Sequence, residues 1–253
     1  MRCSRCNEKL AVHDLWCIKC GKNTEVLKNE LSATKSLNKT WQNYKPLKGV
    51  NMPVGIWATM TGALPLFLIL WITNFALTAL PVWQLVLIRN LVWIFFLPIL
   101  LVPFHAVCYK DGYTLNVSDF FSSFKFYPQY LILSLISIVY YLAIHYICIG
   151  DPILRLVWLV LVIYWITIVL PVPVLMERYG LNAWKAIKLS YKSAGDVRWN
   201  IFLMSLILLV ANLLATLMFI VCLAVILPYS WFAIRDYVDT MIEYEVFDTK
   251  VKA

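Results

Sequence analysis

Five long apolar stretches decide what this chain can become: about Ile56–Leu80, Trp83–Ala106, Tyr130–Ile149, Ile153–Val174, and a continuous run from Trp199 to Ile234. Each of the first four holds the ~20 residues that carry a helix across ~30 Å of hydrocarbon. Inside a bilayer the backbone must satisfy its own polar groups, so such stretches are helices or closed barrels, and only helices need runs of this length. The expectation is an all-α integral membrane protein. Composition agrees, since 62% of the residues are apolar and 14% charged, against a usual ~25% charged in soluble domains. An ordinary soluble domain and a disordered chain are both excluded.

The fifth run is too long for one crossing. Its 36 residues would make a helix of roughly 54 Å at 1.5 Å per residue. It is either one helix that continues along the surface or a tight hairpin of two short spans. Pro228 and Asn212 are candidate irregularities, and no Gly-rich turn divides it.

Charge orients the spans. The formal charge is +8, and 10 of the 22 Lys and Arg residues lie in residues 1–52 beside only 4 acids. Segments 107–129 and 175–200 carry 2 and 5 basic residues, whereas the short connections around Pro81 and Gly150–Pro152 have only Arg155 nearby. By the positive-inside bias, the N-terminus and the large loops face the cytoplasm of a cytoplasmic-type membrane. A basic flank beside an apolar body reads as membrane topology, so no nucleic-acid partner is expected. Nothing sizeable projects outward, which argues against an external receptor.

Residues 1–25 read MRCSRCNEKLAVHDLWCIKCGKNTE. Cys3, Cys6, Cys17 and Cys20 form a C-x2-C-x10-C-x2-C pattern, in which each pair aims two thiolates at one point. Four thiolates at about 2.3 Å complete the closed tetrahedron of structural zinc, with rubredoxin-like iron as the chemical alternative. Asn7 and Gly21 follow the second cysteine of each pair, where a positive φ is often needed. The pattern resembles a short zinc ribbon. A unit this small cannot bury enough apolar surface to fold alone, so bound metal would supply its folding free energy. His13 reads as a surface residue, and a four-thiolate shell leaves no open position for catalysis. The first 50 residues contain no apolar signal core. The thiolates are therefore expected on the reducing side.

An internal repeat runs through the remainder. LPILLVPFHAVCYKDGYTLNVSDFFSSFKFYPQYLILSLI and IVLPVPVLMERYGLNAWKAIKLSYKSAGDVRWNIFLMSLI share an order of features. Each passes from a Pro-bearing helix end (Pro103; Pro173) through a loop Gly (Gly112; Gly180) to a short amphipathic elbow, then into a new span. Ser118 and Asn182 are the expected N-caps. Phe120, Phe121 and Phe124 form one apolar face, and Trp184, Ile187 and Tyr191 the other. Lys185, Lys188 and Lys192 keep the same spacing one position round, which suits ammonium groups that reach phosphates from a helix in the interface. An earlier stretch, Ser32–Lys45, places Ala33, Leu37, Trp41 and Tyr44 on one stripe. Three elbows thus precede three apolar blocks. If each block is a hairpin, the count is six spans with both termini inside, and five otherwise.

The run VLMERYGLNAWKAIKLSYKSAGDVRWNIFLMSLI, with Glu177, Gly180 and the elbow Ala186-Ile187-Lys188-Leu189-Ser190, resembles the membrane domain found beside some glycerophosphodiester phosphodiesterases and in free-standing bacterial relatives. The closing ILPYSWFAIRDYV, with Pro228 and Tyr237, resembles that family's last span. The resemblance covers residues 50–245 and implies architecture rather than a reaction, and the soluble phosphodiesterase barrel is missing.

Polar residues within the spans are few: Asn74, Arg89, Asn90, His105, His145 and Asn212, with Asp151 and Arg155 near a turn. Such groups are functional candidates by default. Arg89 near the outer end, His105 at the inner end and His145 one turn from the outer loop read as interfacial or packing residues, and Asp151 with Arg155 as an i, i+4 pair. Glu177 and Asp196 flank the third elbow, where they read as part of a solvated loop or, more specifically, as headgroup binders with the lysines. No span holds a deep carboxylate, and no H-E-x-x-H, G-x-S-x-G or Walker A motif occurs. Pro65, Pro98 and Pro171 are candidate kinks.

The resulting organisation is a zinc ribbon over 1–25, a basic linker with an amphipathic helix over 26–52, a polytopic domain over 53–245 and a tail over 246–253. The expected function is non-enzymatic: organising inner-leaflet lipids or partner proteins. Trp184, Lys185, Lys188 and Lys192 would contact headgroups, and the ribbon would dock a cytoplasmic or membrane protein. A small-solute or lipid transporter with a path between the hairpins is the alternative.

Overall fold

The computed structural model describes residues 6, 17, 20, 31–75, 80–148, 152–193, 197–218, 220–244 and 246–247. Cys3, His13, Asp151, Asp196, Lys250 and Lys252 lie outside the described residues. Among the described residues the regular structure is entirely helical. Helix α1 (Ala33–Tyr44) leads through a 3-10 turn to α2 (Lys48–Ala58), a π turn (Thr59–Ala63) and α3 (Leu64–Phe75). Then come α4 (Val82–Cys108), α5 (Val117–Ser122), a second 3-10 turn, and α6 (Tyr127–Cys148). The chain closes with α7 (Pro152–Val169), α8 (Val172–Tyr179), α9 (Ala183–Ser193), α10 (Arg198–Met218) and α11 (Ile220–Glu243).

Among the described residues, five helical stretches are long and apolar enough to cross a membrane: Ala33–Phe75, Trp83–Cys108, Val117–Cys148, Ile153–Tyr179 and Arg198–Met218. The fifth apolar run of the sequence does not continue as one helix. It divides into α10 and α11, which pack against each other. The Asn212 side-chain amide of α10 donates to Ser230 Oγ of α11 at 2.7 Å, a contact possible only in an antiparallel hairpin. The last third of α11 carries Arg235, Asp236, Asp239 and Glu243, and α11 is not among the five.

The six long arms touch in chain order and close on themselves. The first arm (α2, the π turn and α3) packs on α4, α4 on α6, α6 on α7, α7 on α10, α10 on α11, and α11 back on α2. The short helices obey the same cyclic rule. Helix α5, which precedes the second hairpin, lies on α2 and α4 of the first; α9, which precedes the third, lies on α6 and α7 of the second. Helix α1 precedes the first and lies on α10 and α11 of the third. Each elbow therefore covers the hairpin before it in the ring, which gives the faint sequence repeat a three-dimensional counterpart. Van der Waals fit drives helix association in lipid, so small residues at a crossing matter. A Cβ placed on Gly55 would lie 1.8 Å from the Ala224 carbonyl oxygen, so α2 and α11 meet backbone to backbone.

Local sequence accounts for the breaks. The π turn at Thr59–Ala63 stands just before Pro65, which has no N–H to offer the carbonyl four residues back. Pro171 does more than kink its helix: it ends α7 and begins α8. Pro98 stays inside α4. Helix α8 ends on Gly180 at φ 61°, with Leu181 N–H donating to Met176 O and Gly180 N–H to Glu177 O, the paired bonds of a Schellman close. Asn182 then caps α9, accepting from Lys185 N–H at 2.9 Å as expected. For α5 the expectation needs correction. The cap is Asn116, two residues before Ser118, and its N–H donates to Asp119 at 2.8 Å. An Asn with an acid three residues on closes a reciprocal box that Ser118 has no partner to form.

Packing is concentrated at the elbow end. The largest fully buried side chains there include Tyr44, Phe120, Tyr130, Phe232 and Tyr237. At the opposite end Trp71, Phe75, Trp83, Ile147, Ile153 and Leu217 are exposed.

Candidate functional site

The third elbow is two-faced, but not along the predicted line. Ala183, Ala186, Ile187 and Ser190 of α9 are buried, at the i, i+3, i+4, i+7 spacing of one helical face, and Ser190 Oγ donates to Ile168 O at 2.7 Å. Ile187 thus belongs to the protein-facing stripe, at 6% exposure, while Trp184 and Tyr191 are more than half exposed. The reason is size. Alanine and serine let α9 approach α8 closely, and the two large rings fit only outside. The outward face therefore combines Trp184 and Tyr191 with exposed Lys185, Lys188 and Lys192. Lys188 Nζ lies over the Trp184 ring, 5.1 Å from its centroid. Arg198 fixes the end of this helix, donating to the Tyr191 carbonyl at 2.8 Å and to the Tyr164 hydroxyl. A guanidinium at a helix C-terminus meets both the free carbonyls and the negative end of the dipole.

The other elbows are less exposed. Ala33, Leu37 and Tyr44 of α1 are buried against the third hairpin, with Trp41 half-buried beside them, as the stripe predicts. On α5 Phe120 is buried and Phe121 points outward, and Phe124 in the 3-10 turn that follows is half-buried.

Sequence reasoning missed a polar cluster at the same end of the bundle. Arg235, 4% exposed, donates through Nε and Nη2 to Asp236 Oδ1 at 3.0 and 2.7 Å. Its Nη1 donates to the carbonyls of Val107, Lys110 and Gly112 at 3.3, 2.8 and 2.8 Å. It closes the C-terminus of α4 and holds the loop beyond. Asp236 Oδ2 also accepts from Thr40 of α1 at 2.8 Å and from the Tyr113 hydroxyl at 2.7 Å. Burial and that last bond push the Tyr113 phenol above its ordinary value. Asn51 of α2 completes the clamp, donating to Tyr113 O and accepting from Leu115 N–H, both at 2.7 Å. Nearby, Arg178 of α8 holds Asp239 by two bonds of 2.8 and 2.7 Å, and Lys110 pairs with Asp119. Thr40, Lys110, Tyr113, Arg178, Asp236 and Asp239 line a cleft of about 280 Å³ with Arg235. Its two arginines are held by Asp239 and Asp236 and its Lys110 by Asp119, and the bonds of Asp236, Arg235 and Arg178 tie α1, α4, α8 and α11 together. The available signal was the R-D-x-x-D run at Arg235, Asp236 and Asp239, where an apolar stretch abruptly acquires charge.

Each polar residue of the spans has a place. His105 is 2% exposed, with Nδ1 3.1 Å from the Tyr130 hydroxyl and Nε2 2.9 Å from the Glu177 carboxylate. Its role is packing rather than interfacial, and it holds the Glu177 carboxylate. Arg89 donates to Asn74 Oδ1 at 2.8 Å near the first hairpin turn. His145 is half-buried and stacks on Tyr141.

Of the four N-terminal cysteines, Cys6, Cys17 and Cys20 bring their sulfurs within 4.8 Å of one another. Cys17 is buried. The Cys6 and Cys17 sulfurs are 3.4 Å apart, well beyond the ~2.05 Å of a disulfide and near the ~3.8 Å edge of a thiolate tetrahedron with 2.3 Å arms. Soft donors at that spacing fit a soft divalent ion. Cys3 lies outside the described residues.

Fold and site together define a helical protein with several helices fit to span a membrane. No family model, no curated protein and no solved structure matches the chain.

Proposed function

We propose that this is a non-enzymatic polytopic protein of a cytoplasmic-type membrane that gathers anionic lipid around its cytoplasmic end. In this reading six arms cross the bilayer, α11 included, and the elbow end, the N-terminus and the C-terminus face the cytoplasm, as the basic loops require. The observation that carries the proposal is the outward face of α9. Two aromatic rings and three ammonium groups stand together on a helix whose opposite face is fixed to the bundle. Aromatic rings favour the headgroup level, and basic side chains beside them meet phosphates. Cys3, Cys6, Cys17 and Cys20 hold one zinc ion that folds residues 1–25 into a docking knob for a cytoplasmic or membrane protein.

Each near-surface lysine contributes on the order of 1 kcal/mol toward an anionic surface. If additive, the three favour anionic over neutral lipid by roughly two orders of magnitude, and salt weakens the preference. The test is native mass spectrometry of the protein released from mixed phosphatidylglycerol and phosphatidylcholine membranes. The triple Lys185→Gln, Lys188→Gln, Lys192→Gln variant, exposed at all three positions, should fold normally and lose retained phosphatidylglycerol. Equal retention by parent and variant would refute the proposal.

A further inference from the structure

A second lipid site follows from the first elbow, and it differs from α9 in having depth. Helices α1 and α2 meet α11 along a groove of about 360 Å³, at the lower end of the range for small-molecule pockets. Its walls are Met52 of α2 with Cys222, Val225 and Ile226 of α11, and Trp41 and Lys48 also line it. Positions 222, 225 and 226 share one helical face, and the next residue of that face, Tyr229, is sealed by the Trp41 ring at 5.2 Å. The groove is therefore closed beside the elbow helix and lined by apolar side chains beyond it. Lys48 is exposed and meets no carboxylate among the described residues, as is also true of Lys45 three residues before it.

We propose that this groove takes one acyl chain of an anionic phospholipid, with the lipid phosphate against the Lys48 ammonium. The lining chemistry selects that occupant over a peptide. A peptide brings amides that need partners when buried, and the groove's own polar groups are only the Lys48 ammonium, the Trp41 indole and the Cys222 thiol. An acyl chain brings none, and its headgroup supplies the negative charge that the uncompensated lysine lacks. The indole at the junction of α1 and α2 suits the headgroup level, where such rings collect. The site rests on the membrane reading and is independent of the lysines of α9.

The test uses the full chain in phosphatidylcholine vesicles containing a phosphatidylglycerol probe with a photoreactive acyl chain, and maps the labelled peptides by mass spectrometry. The expected result is labelling at Met52 and at Val225–Ile226. The Lys48→Gln variant should cut it about fivefold, the equivalent of about 1 kcal/mol from one near-surface charge. Val225→Trp, which fills the groove, should abolish it while labelling of the exposed Val139 on α6 persists. Met52→Phe serves the same purpose if Val225→Trp does not fold. A phosphatidylcholine probe that labels the groove as strongly as the anionic one overturns the proposal. So does groove labelling that survives the filling substitution. Groove labelling that persists when the triple α9 variant keeps its retained lipid refutes the α9 reading alone, and the converse pattern refutes the groove alone.

Discussion

Replacing Arg235 by Gln should open the elbow end of the bundle, and the size of the effect follows from what the guanidinium holds. It makes two bonds to Asp236 and three to main-chain carbonyls at the end of α4, and at 4% exposure water has little access to replace them. Removing one partner of a buried ion pair costs about 3–5 kcal/mol because the other charge is stranded. Asp236 keeps its bonds from Thr40 and Tyr113, which places the loss near the lower bound, about 3 kcal/mol. Cys108 provides the readout. It is fully buried in the last turn of α4, with its thiol donating to Phe104 O, and local opening must precede its alkylation. An opening free energy lowered by about 3 kcal/mol raises the open population roughly 150-fold, and the rate of maleimide labelling at Cys108 should rise by that order in detergent. Cys148, buried at the far end of α6, should change much less, which separates local opening from global unfolding. Arg235→Lys should fall between, because an ammonium keeps the charge and loses the planar fork. Adding Asp236→Asn to Arg235→Gln should recover part of the loss, since no carboxylate is then stranded. If Arg235→Gln labels at the parental rate, the clamp does not hold the end of α4 and the packing argument fails.

Three further outcomes are expected. Gly55→Ala should lower the thermal midpoint in detergent by the equivalent of about 3 kcal/mol, at the top of the usual overpacking range, because its Cβ meets the Ala224 backbone; Gly49→Ala, with open space around the added methyl, should raise it slightly. Metal analysis should find one zinc per chain, and Cys17→Ser should reduce it, whereas undiminished metal would dismiss the four-thiolate site. A reporter fused after Ala253 should report a cytoplasmic C-terminus, and an external one would leave five spans and undo the third hairpin.

How much of this was legible depends on whether the signal was local. Apolar runs of span length needed no tertiary information: among the described residues, two of the five long helical stretches contain a predicted run whole, two cover most of one each, and the fifth covers the start of the last run. Asn182, one residue before α9, was readable as a cap because capping is set by residues three apart. Ser118 failed for the same local reason, since the competing Asn116–Asp119 box was equally visible and stronger. On α9 only Ile187 left the expected stripe, because the buried face is set by its small neighbours Ala183, Ala186 and Ser190, which hydrophobicity alone does not mark. In a crossing of two helices, small residues go inside and large amphipathic rings go to the interface. The clamp was invisible because Arg235 is more than 120 positions from the carbonyls it binds, and a basic residue at a span end reads equally well as topology. His105 was singled out, but its partners Tyr130 and Glu177 come from two other helices, and no spacing encodes them.

The departures from threefold regularity are concentrated on α11, and the ring explains why. The other arms expose apolar side chains along much of their length. Helix α11 closes the ring against α2, touches α4 across it, and is covered at its end by α1. Its surroundings over Arg235 to Asp239 are therefore protein, and protein can supply the partners that charged groups require at such depth. That shelter lets one arm carry the ion pairs that fasten three elements of other repeats. It also leaves α11 with only Ile220–Ile234 free of charged residues, about 22 Å at 1.5 Å per residue, shorter than the ~30 Å hydrocarbon core. If α11 crosses as proposed, the bilayer beside the third hairpin thins, or draws headgroups inward, to match it. The groove with Lys48 and Trp41 lies against this same arm. On that proposal a locally thinned leaflet would bring phosphates down to Lys48, so the short arm and the proposed lipid groove would share one cause in the sequence of α11.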